Sequence, residues 1–299
     1  MHVTFRQLEV FETAARLLSY TRTAETLHMS QPAVSMQIKQ LEESVGLPLF
    51  EMLGKKLYLT DAGKEFYIYG KEIFQLLEEA EAVIESMKGL HSGRLKVSVA
   101  TTASYFATRL LAAFSKRFEG VAINLDVTNR ESLRKQLEDN EPDLVIMGQP
   151  PEDIDVDSQA FMSNPLVMVA PADHPLTKET NIPLSRFADE QFVVRETGSG
   201  TLGAIERFFE EHNVPFHTGI EMSSNEAIKQ AVEAGLGLGI ASIHTLELEL
   251  ETGRLVLLDV EDFPIRRQWY LVQRKGKRLS VVSQAFKEFV LSEAGQFIR

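Results

Sequence analysis

The 299-residue chain contains no cysteine. That excludes disulfides and thiolate-held metals and fits a reducing, cytoplasmic setting. No apolar run approaches the roughly 18 residues a membrane span needs. The amino-terminal stretch MHVTFRQLEVF lacks the basic start and apolar core of a secretion signal. We therefore expect a cytoplasmic protein without membrane contact. The seven histidines are scattered and none lies in a HExxH pattern, so no metal site is expected. No serine stands in a nucleophile-elbow frame, and no carboxylate pair can be singled out as acid and base. Gly235-Leu236-Gly237-Leu238-Gly239 closes a helix and leads into a strand, the reverse of a dinucleotide fingerprint, so Gly235 reads as a C-cap. Gly198 to Gly203 has phosphate-loop spacing, but Ala204 stands where the lysine belongs. These absences argue for a protein with no catalytic residues and no cofactor. Positive charge is also scarce. The net charge is −12, yet residues 1–60 hold six Lys/Arg and six Asp/Glu and are neutral, so the acidic excess lies beyond them.

That neutral segment contains the most informative stretch, Thr21 to Gly46. Thr21 reads as the N-cap of a short helix, and Ser30 caps a second helix with Pro32 in its first turn. Val34, Ile38, Leu41 and Val45 then recur at spacings of four, three and four, an amphipathic stripe with one buried face. Opposite it lie Pro32, Ser35, Met36, Lys39 and Glu43, with Gln31 beside them. Small and amide side chains on a short outward-facing helix suit the major groove. Phe5, Leu8, Phe11, Ala15 and Leu18 mark a first helix packing beneath. Glu51 to Leu59 reads as a two-stranded wing around Gly54, with Lys55 and Lys56 placed for phosphates. A long helix follows from about 61 to 90. Ala62, Phe66, Tyr69, Ile73, Leu76, Ala80, Val83 and Met87 recur along it with a 3.5-residue period, the mark of a coiled coil whose seam a second chain covers.

Beyond the hinge His91-Ser92-Gly93, strands alternate with helices, as in parallel α/β architecture. The strands begin at Leu95, Ala122, Leu144, Leu166, Gln191, Gly219, Leu238 and Arg267. Two crossings, near 161–164 and 264–267, divide this region into lobe I (about 91–163 plus 267–299) and lobe II (about 164–266). Ligands bind such domains at the carboxyl ends of strands. Three loops qualify: Thr101-Thr102-Ala103-Ser104; Thr197-Gly198-Ser199-Gly200-Thr201 beside Arg195; and Ser223-Ser224-Asn225-Glu226, where Ser223 and Glu226 form a capping box on our reading. Asn129 closes another strand and joins the first two as a candidate ligand residue. A hydroxyl-rich, partly cationic cleft suits a small anion. Trp269 reads as core.

The run from Leu8 to Leu59, centred on AETLHMSQPAVSMQIKQLEESVGLPLFE, resembles the amino-terminal domain of LysR-type transcriptional regulators, and the resemblance extends to the carboxyl terminus. SQPAVSMQIKQLE followed by LFEMLGKKLYLTDAG is most similar to the regulators of carbon-fixation (RuBisCO) operons. The resemblance implies an α plus α/β fold. A winged helix-turn-helix (1–60) would bind promoter DNA, a linker helix (61–90) would form a homodimer, and a two-lobed, periplasmic-binding-protein-like effector domain (91–299) would follow. It also implies a homotetramer and an anionic effector, phosphorylated or carboxylate. Met36, Met52 and Leu202 stand where many members carry arginine. Thr21, Gln31, Pro32, Ser35, Met36, Lys39, Lys55 and Lys56 are the expected DNA-contacting set. From another class, the alternative is a small-molecule-binding protein whose helical head only oligomerises.

Overall fold

A computed structural model describes residues 2–54, 56–87 and 93–297, with side chains except at 78, 79, 81–83 and 85–87. Lys55 and the hinge residues His91 and Ser92 lie outside the described residues. The chain divides into two compact units, residues 1–81 and 82–299.

The first unit begins with α1 (Phe5–Leu17), α2 (Tyr20–Thr26) and α3 (Gln31–Val45). Thr4 and Gln7 close a capping box at the start of α1. Leu18 ends that helix in the left-handed region, and Ser19, not Thr21, caps α2 by accepting the Arg22 N–H. Thr21 instead sits exposed in the first turn of α2, because the helix starts two residues earlier than the Thr21 pattern implied. Ser30 accepts the Ala33 N–H at 3.3 Å to open α3, and left-handed Gly46 closes it. Val34, Ile38 and Leu41 face a core with Val10, Phe11, Leu49 and Leu57. Each fully buried aliphatic side chain there contributes about 1.5–3 kcal/mol. Phe5 and Leu18, expected in that core, are exposed, and Val10 and Ala14 take part in it instead.

The wing is β1 (Phe50–Leu53) paired antiparallel with β2 (Lys56–Leu59). The Glu42 carboxylate on α3 accepts the backbone N–H groups of Leu49 (2.8 Å) and Phe50 (3.1 Å), fixing the wing against α3. Thr60 caps α4 (Asp61–Met87) by accepting the Gly63 N–H at 3.0 Å. A β-carbon on Gly63 would fall 2.0 Å from the Leu49 carbonyl oxygen, so only glycine lets α4 start this close to the wing. Phe66 seals the head against Phe11, ring centroids 5.1 Å apart. Farther along α4, Tyr69, Ile73 and Leu76 of the expected seam are exposed in the single chain. Val83 and Met87 lie outside the described side chains.

The second unit runs through β3 (Gly93–Ala100), a 3-10 turn at Thr101–Ala103, α5 (Ser104–Arg117), β4 (Val121–Thr128), α6 (Arg130–Glu138), β5 (Leu144–Met147) and β6 (Val156–Ser163). It continues with β7 (Leu166–Pro171), β8 (Gln191–Arg195), α7 (Leu202–Glu211), β9 (His217–Met222), α8 (Asn225–Glu233) and β10 (Leu238–Ser242). The last elements are α9 (Glu247–Glu251), β11 (Leu255–Leu257), β12 (Gln268–Arg274) and α10 (Val281–Glu293). The strands form two sheets, ordered β4-β3-β5-β12-β6 in lobe I and β11-β7-β10-β8-β9 in lobe II. Both are mixed, not purely parallel as the alternation had implied. β12 runs against β5 and β6, and β7 runs against β10 and β11, because these strands carry the chain between lobes. The two crossings lie side by side. Leu166 and Ile265 exchange backbone hydrogen bonds at 3.0 Å, and the Asn164 N–H donates to the Arg267 carbonyl at 2.8 Å. Ser242 Oγ donates to Asn164 Oδ1 at 2.7 Å, anchoring this buried pivot.

Candidate functional site

Two places in the chain present organised polar surface. On α3, Gln31, Pro32, Ser35, Met36 and Lys39 are all exposed on one face, opposite the buried Val34, Ile38 and Leu41. Met36 is 55% exposed, a level that leaves its thioether available to a partner. Lys39 pairs loosely with Glu43 at 3.9 Å, so this face carries little net charge. Lys56 is exposed at the start of β2, beside left-handed Gly54 and the exposed Met52 and Leu53.

The second place is a cleft between the lobes of the second unit, where the carboxyl ends of strands from both lobes meet. Of the sequence candidates, Thr101, Thr102, Asn129, Arg195, Ser199, Gly200 and Thr201 line it. Ser104, Thr197 and Gly198 lie outside that lining. Ser104 turns back to donate to the Thr101 carbonyl at 2.7 Å, and Thr197 donates to Glu221 at 3.0 Å. Gly198 serves the turn, at φ +85°. Asn129 caps α6, accepting the Ser132 N–H at 2.9 Å. In the third loop Ser224, not Ser223, caps α8. Glu226 is taken up by Tyr105 and Lys229, so the expected box does not form.

Arg195 is not the open cation its sequence position implied. It is 5% exposed, and Glu196 holds its guanidinium in two bonds of 2.7 and 2.8 Å. Its remaining arm donates to Asn225 (2.9 Å) and, across the cleft, to Thr101 Oγ1 (3.3 Å). Its charge is thus neutralised in place.

The uncompensated charge comes from residues that sequence reasoning missed. Arg130 opens α6, Arg267 sits at the second crossing, and both line the cavity. Burial pushes the Arg267 guanidinium down to about 10, with Arg207 and Arg130 adding to the shift. Arg130 is likewise lowered, by burial first and then by Arg207. Arg130 and Arg267 stay charged at neutral pH, and like charge acts between Arg207 and each of them. A β-carbon on Gly200 would lie 3.5 Å from Arg130 Nη1 and 3.7 Å from Arg267 Nη2, which puts these two nitrogens within about 7 Å. At an effective dielectric of about 20, two charges so placed repel by about 2 kcal/mol, less where solvent screens them. The Arg267 guanidinium packs directly on Gly148, where an added β-carbon would meet Nη2 at 2.6 Å. Among the described residues, the buried indole Nε1 of Trp269, also in the cavity wall, has no hydrogen-bond partner. The legible signals were Arg130 directly after a strand-ending Thr128-Asn129 and Gly148 closing β5, each at a strand's carboxyl end.

One side of the cleft is bridged. Tyr105 on α5 donates to Glu226 on α8 at 2.5 Å, and Arg109 on α5 pairs with Glu247 on α9. Lys229 is buried and bridges Glu226 (2.8 Å) and Glu249 (2.9 Å). Burial pushes the Glu226 carboxyl up, but hydrogen bonds from Lys229 and Tyr105 outweigh it and hold the group below the usual carboxylate range. Among the described residues there is no group of His, Cys, Asp and Glu that could hold a metal. None of the described helices is long and apolar enough to cross a membrane.

Comparison with known proteins agrees with this division. Residues 5–64 match the bacterial regulatory helix-turn-helix protein family, lysR type, and residues 88–295 match the LysR substrate binding domain. The chain is 58% identical to a RuBisCO operon transcriptional regulator of Allochromatium vinosum, over 99% of this chain and 98% of that one. It is 46% identical to the RuBisCO operon transcriptional regulator of Acidithiobacillus ferrooxidans, over 97% and 94% of the two chains. Among solved structures, the regulatory domain of CcmR from Synechocystis PCC6803, in complex with 2-PG, is 44% identical. It superposes with a TM-score of 0.66 over 68% of this chain and 98% of that one. With a helix-turn-helix head and a two-lobed substrate-binding domain both matched, the chain belongs to the LysR family of bacterial transcriptional regulators.

Proposed function

We propose that this protein is a cytoplasmic, sequence-specific DNA-binding regulator of carbon-fixation genes, with no enzymatic activity, that responds to a small anionic metabolite. The outward face of α3 carries the reading: Gln31, Pro32, Ser35, Met36 and Lys39 stand exposed while Val34, Ile38 and Leu41 on the opposite face are buried. In this reading residues 1–60 form the DNA-binding module. Gln31, Pro32, Ser35 and Met36 meet base edges, and Thr21, Lys39, Lys55 and Lys56 meet phosphates or groove walls. A neutral module makes few phosphate contacts, so specific affinity needs more than one copy. The linker helix, about 61–90, supplies that copy by pairing two chains along Tyr69, Ile73 and Leu76, whose exposure in the single chain supports a covered seam. A dimer of such dimers then binds a two-fold symmetric site.

Residues 91–299 form the effector domain, with lobe I about 91–163 plus 267–299 and lobe II about 164–266. The effector sits between them, against Thr101, Thr102, Asn129, Ser199, Gly200 and Thr201. The names of the relatives support a RuBisCO-operon target, and the 2-PG complex of the CcmR domain supports an anion in the cleft. Lobe movement on binding changes how the dimers are spaced on DNA.

The test is fluorescence anisotropy at fixed salt, with promoter fragments of carbon-fixation genes against random DNA, repeated with a panel of phosphorylated metabolites. One fragment should bind tightly and shift with one metabolite. Ser35→Arg should change sequence preference while leaving affinity for random DNA within about threefold. No preference for any fragment across a wide DNA library would favour a binding protein whose head only oligomerises.

A further inference from the structure

The outward face of α3 carries two chemistries in two rows. Gln31 and Ser35, one turn apart, supply an amide and a hydroxyl. Pro32, Met36, Lys39 and Glu43 follow one another at spacings of four, three and four, so they lie along one line of the helix. The charged end of that line pairs with itself, Lys39 Nζ lying 3.9 Å from the Glu43 carboxylate. The amino-terminal end is apolar: Pro32 and Met36 are both exposed and stand within the first two turns of α3. The backbone that carries Met36 is held in place. Val34 and Ile38, two residues to either side, are buried, Ser30 caps the start of the helix, and Glu42 ties its far end to the wing. A fixed helix therefore presents one flexible, 55% exposed thioether outward.

In a helix that enters the major groove, the amino-terminal residues reach the base edges. Those edges offer hydrogen-bond donors and acceptors with one exception, the C5-methyl group of thymine. A thioether has no hydrogen to donate and accepts only weakly. Set against a polar edge, it would leave that donor or acceptor without a partner. Set against the methyl group, it removes apolar surface of both from water. We propose that Met36 is a specificity-determining residue that packs on the C5-methyl of one thymine in each half-site. The inference rests on the DNA-binding reading above and deepens it: one T·A pair is selected by apolar contact, without a hydrogen bond from this side chain. Gln31 and Ser35, in the neighbouring row, are left to read polar edges of adjoining pairs.

The test uses the full-length chain and the promoter fragment it prefers, by fluorescence anisotropy at fixed salt. Each thymine of the footprint is replaced singly by deoxyuridine, which lacks only the methyl group. At one position per half-site the wild type should weaken by about fourfold, the worth of one buried methyl. Replacing both symmetry-related thymines should cost about fifteenfold, since losses at separate positions multiply. Met36→Ala, which alters both half-sites, should lose about the same fifteenfold on the unmodified fragment and no longer distinguish thymine from deoxyuridine there. Because the side chain lies outside the core, this variant should melt at the wild-type temperature. A cytosine at that position should bind about fourfold more tightly when it carries a 5-methyl group, for the wild type and not for Met36→Ala. Tolerance of deoxyuridine at every position, with the fragment still preferred over random DNA, would overturn the methyl contact and keep the regulator. A deoxyuridine loss of equal size in the wild type and Met36→Ala would assign the methyl to another residue and overturn the role of Met36. No fragment preferred over random DNA would remove the DNA reading itself, and this inference with it.

Discussion

The head and the cleft both face negatively charged partners on this reading, yet they handle positive charge in opposite ways. In the head, the cations of the DNA-facing set are few, and the described ones are exposed: Lys39 leans towards Glu43, and Lys56 stands on the wing. In the cleft, Arg130 and Arg267 stand on the wall, burial holds both below the usual guanidinium range, and Arg207 adds to the shift of each. An exposed lysine gains little from any one phosphate because water and salt screen it. A partly buried arginine gains much more, since the anion replaces water it has already lost. The head must therefore draw specificity from uncharged groups and affinity from repetition. The cleft can discriminate by charge in a single copy.

The sharpest way to break this contrast is at Arg195. If charge in the cleft were interchangeable, Arg195→Gln would mainly weaken the anion. We expect it mainly to destabilise the second unit, by about 3 kcal/mol, because removing one partner of a buried pair strands Glu196. Thermal unfolding without ligand checks this. A stable variant with lost anion affinity would show that Arg195 belongs to the anion site after all.

Gly148→Ala should have the next largest effect. The added methyl would collide with Arg267 Nη2 at 2.6 Å and push the guanidinium off its seat. Anion affinity should fall about tenfold, or 1.4 kcal/mol, with DNA binding in the absence of effector unchanged. Calorimetry and anisotropy on one preparation separate the two.

These sites were not equally legible in the sequence, and the reason is physical. The recognition helix is a local object. Ser30, Pro32 and the Val34–Ile38–Leu41 stripe lie within one short stretch, so cap and periodicity both appear in order. The α/β texture was also visible, because β3, β5 and β8 are short apolar runs ending in hydroxyl or glycine loops. β6 and β11 were not. VDSQAFMS is largely polar, and Leu255–Leu257 is only three residues long. They are strands because β12 and β7 offer them edges, and those partners lie far away in sequence. The same holds for the cleft arginines. Arg130 and Arg267 lie far apart in sequence, and only the crossings between lobes bring them together. Arg195 was conspicuous because it adjoins a glycine loop, but Glu196 beside it is what takes its charge.

In the head the expected effect is smaller. Lys56→Ala should weaken all DNA sequences by about threefold near physiological salt. It should also reduce the magnitude of the slope of log affinity against log salt by about 0.9, the signature of one lost phosphate contact. A loss confined to the cognate fragment would mean that Lys56 reads bases, and the division between charged positioning and uncharged reading would fail.

The smallest effect concerns the pivot between the lobes of the second unit. His244, just after β10, places Nε2 2.9 Å from the Ser163 carbonyl and its ring 6.0 Å from Phe106. A carbonyl only accepts, so the neutral ring donates there. Burial lowers the His244 pKa, and the Ser163 hydrogen bond only partly opposes this. The folded protein thus takes up this proton less readily than the unfolded chain, whose histidine titrates near 6.5. The contribution to stability is fully present above pH 6.5 and is lost as pH falls through the lower, folded value. Because the ring is incompletely buried, acidification from pH 7.5 to 5.0 should cost the wild type only about 1–2 °C more than His244→Gln in melting temperature. Equal losses would mean that His244 contributes nothing to this pH dependence.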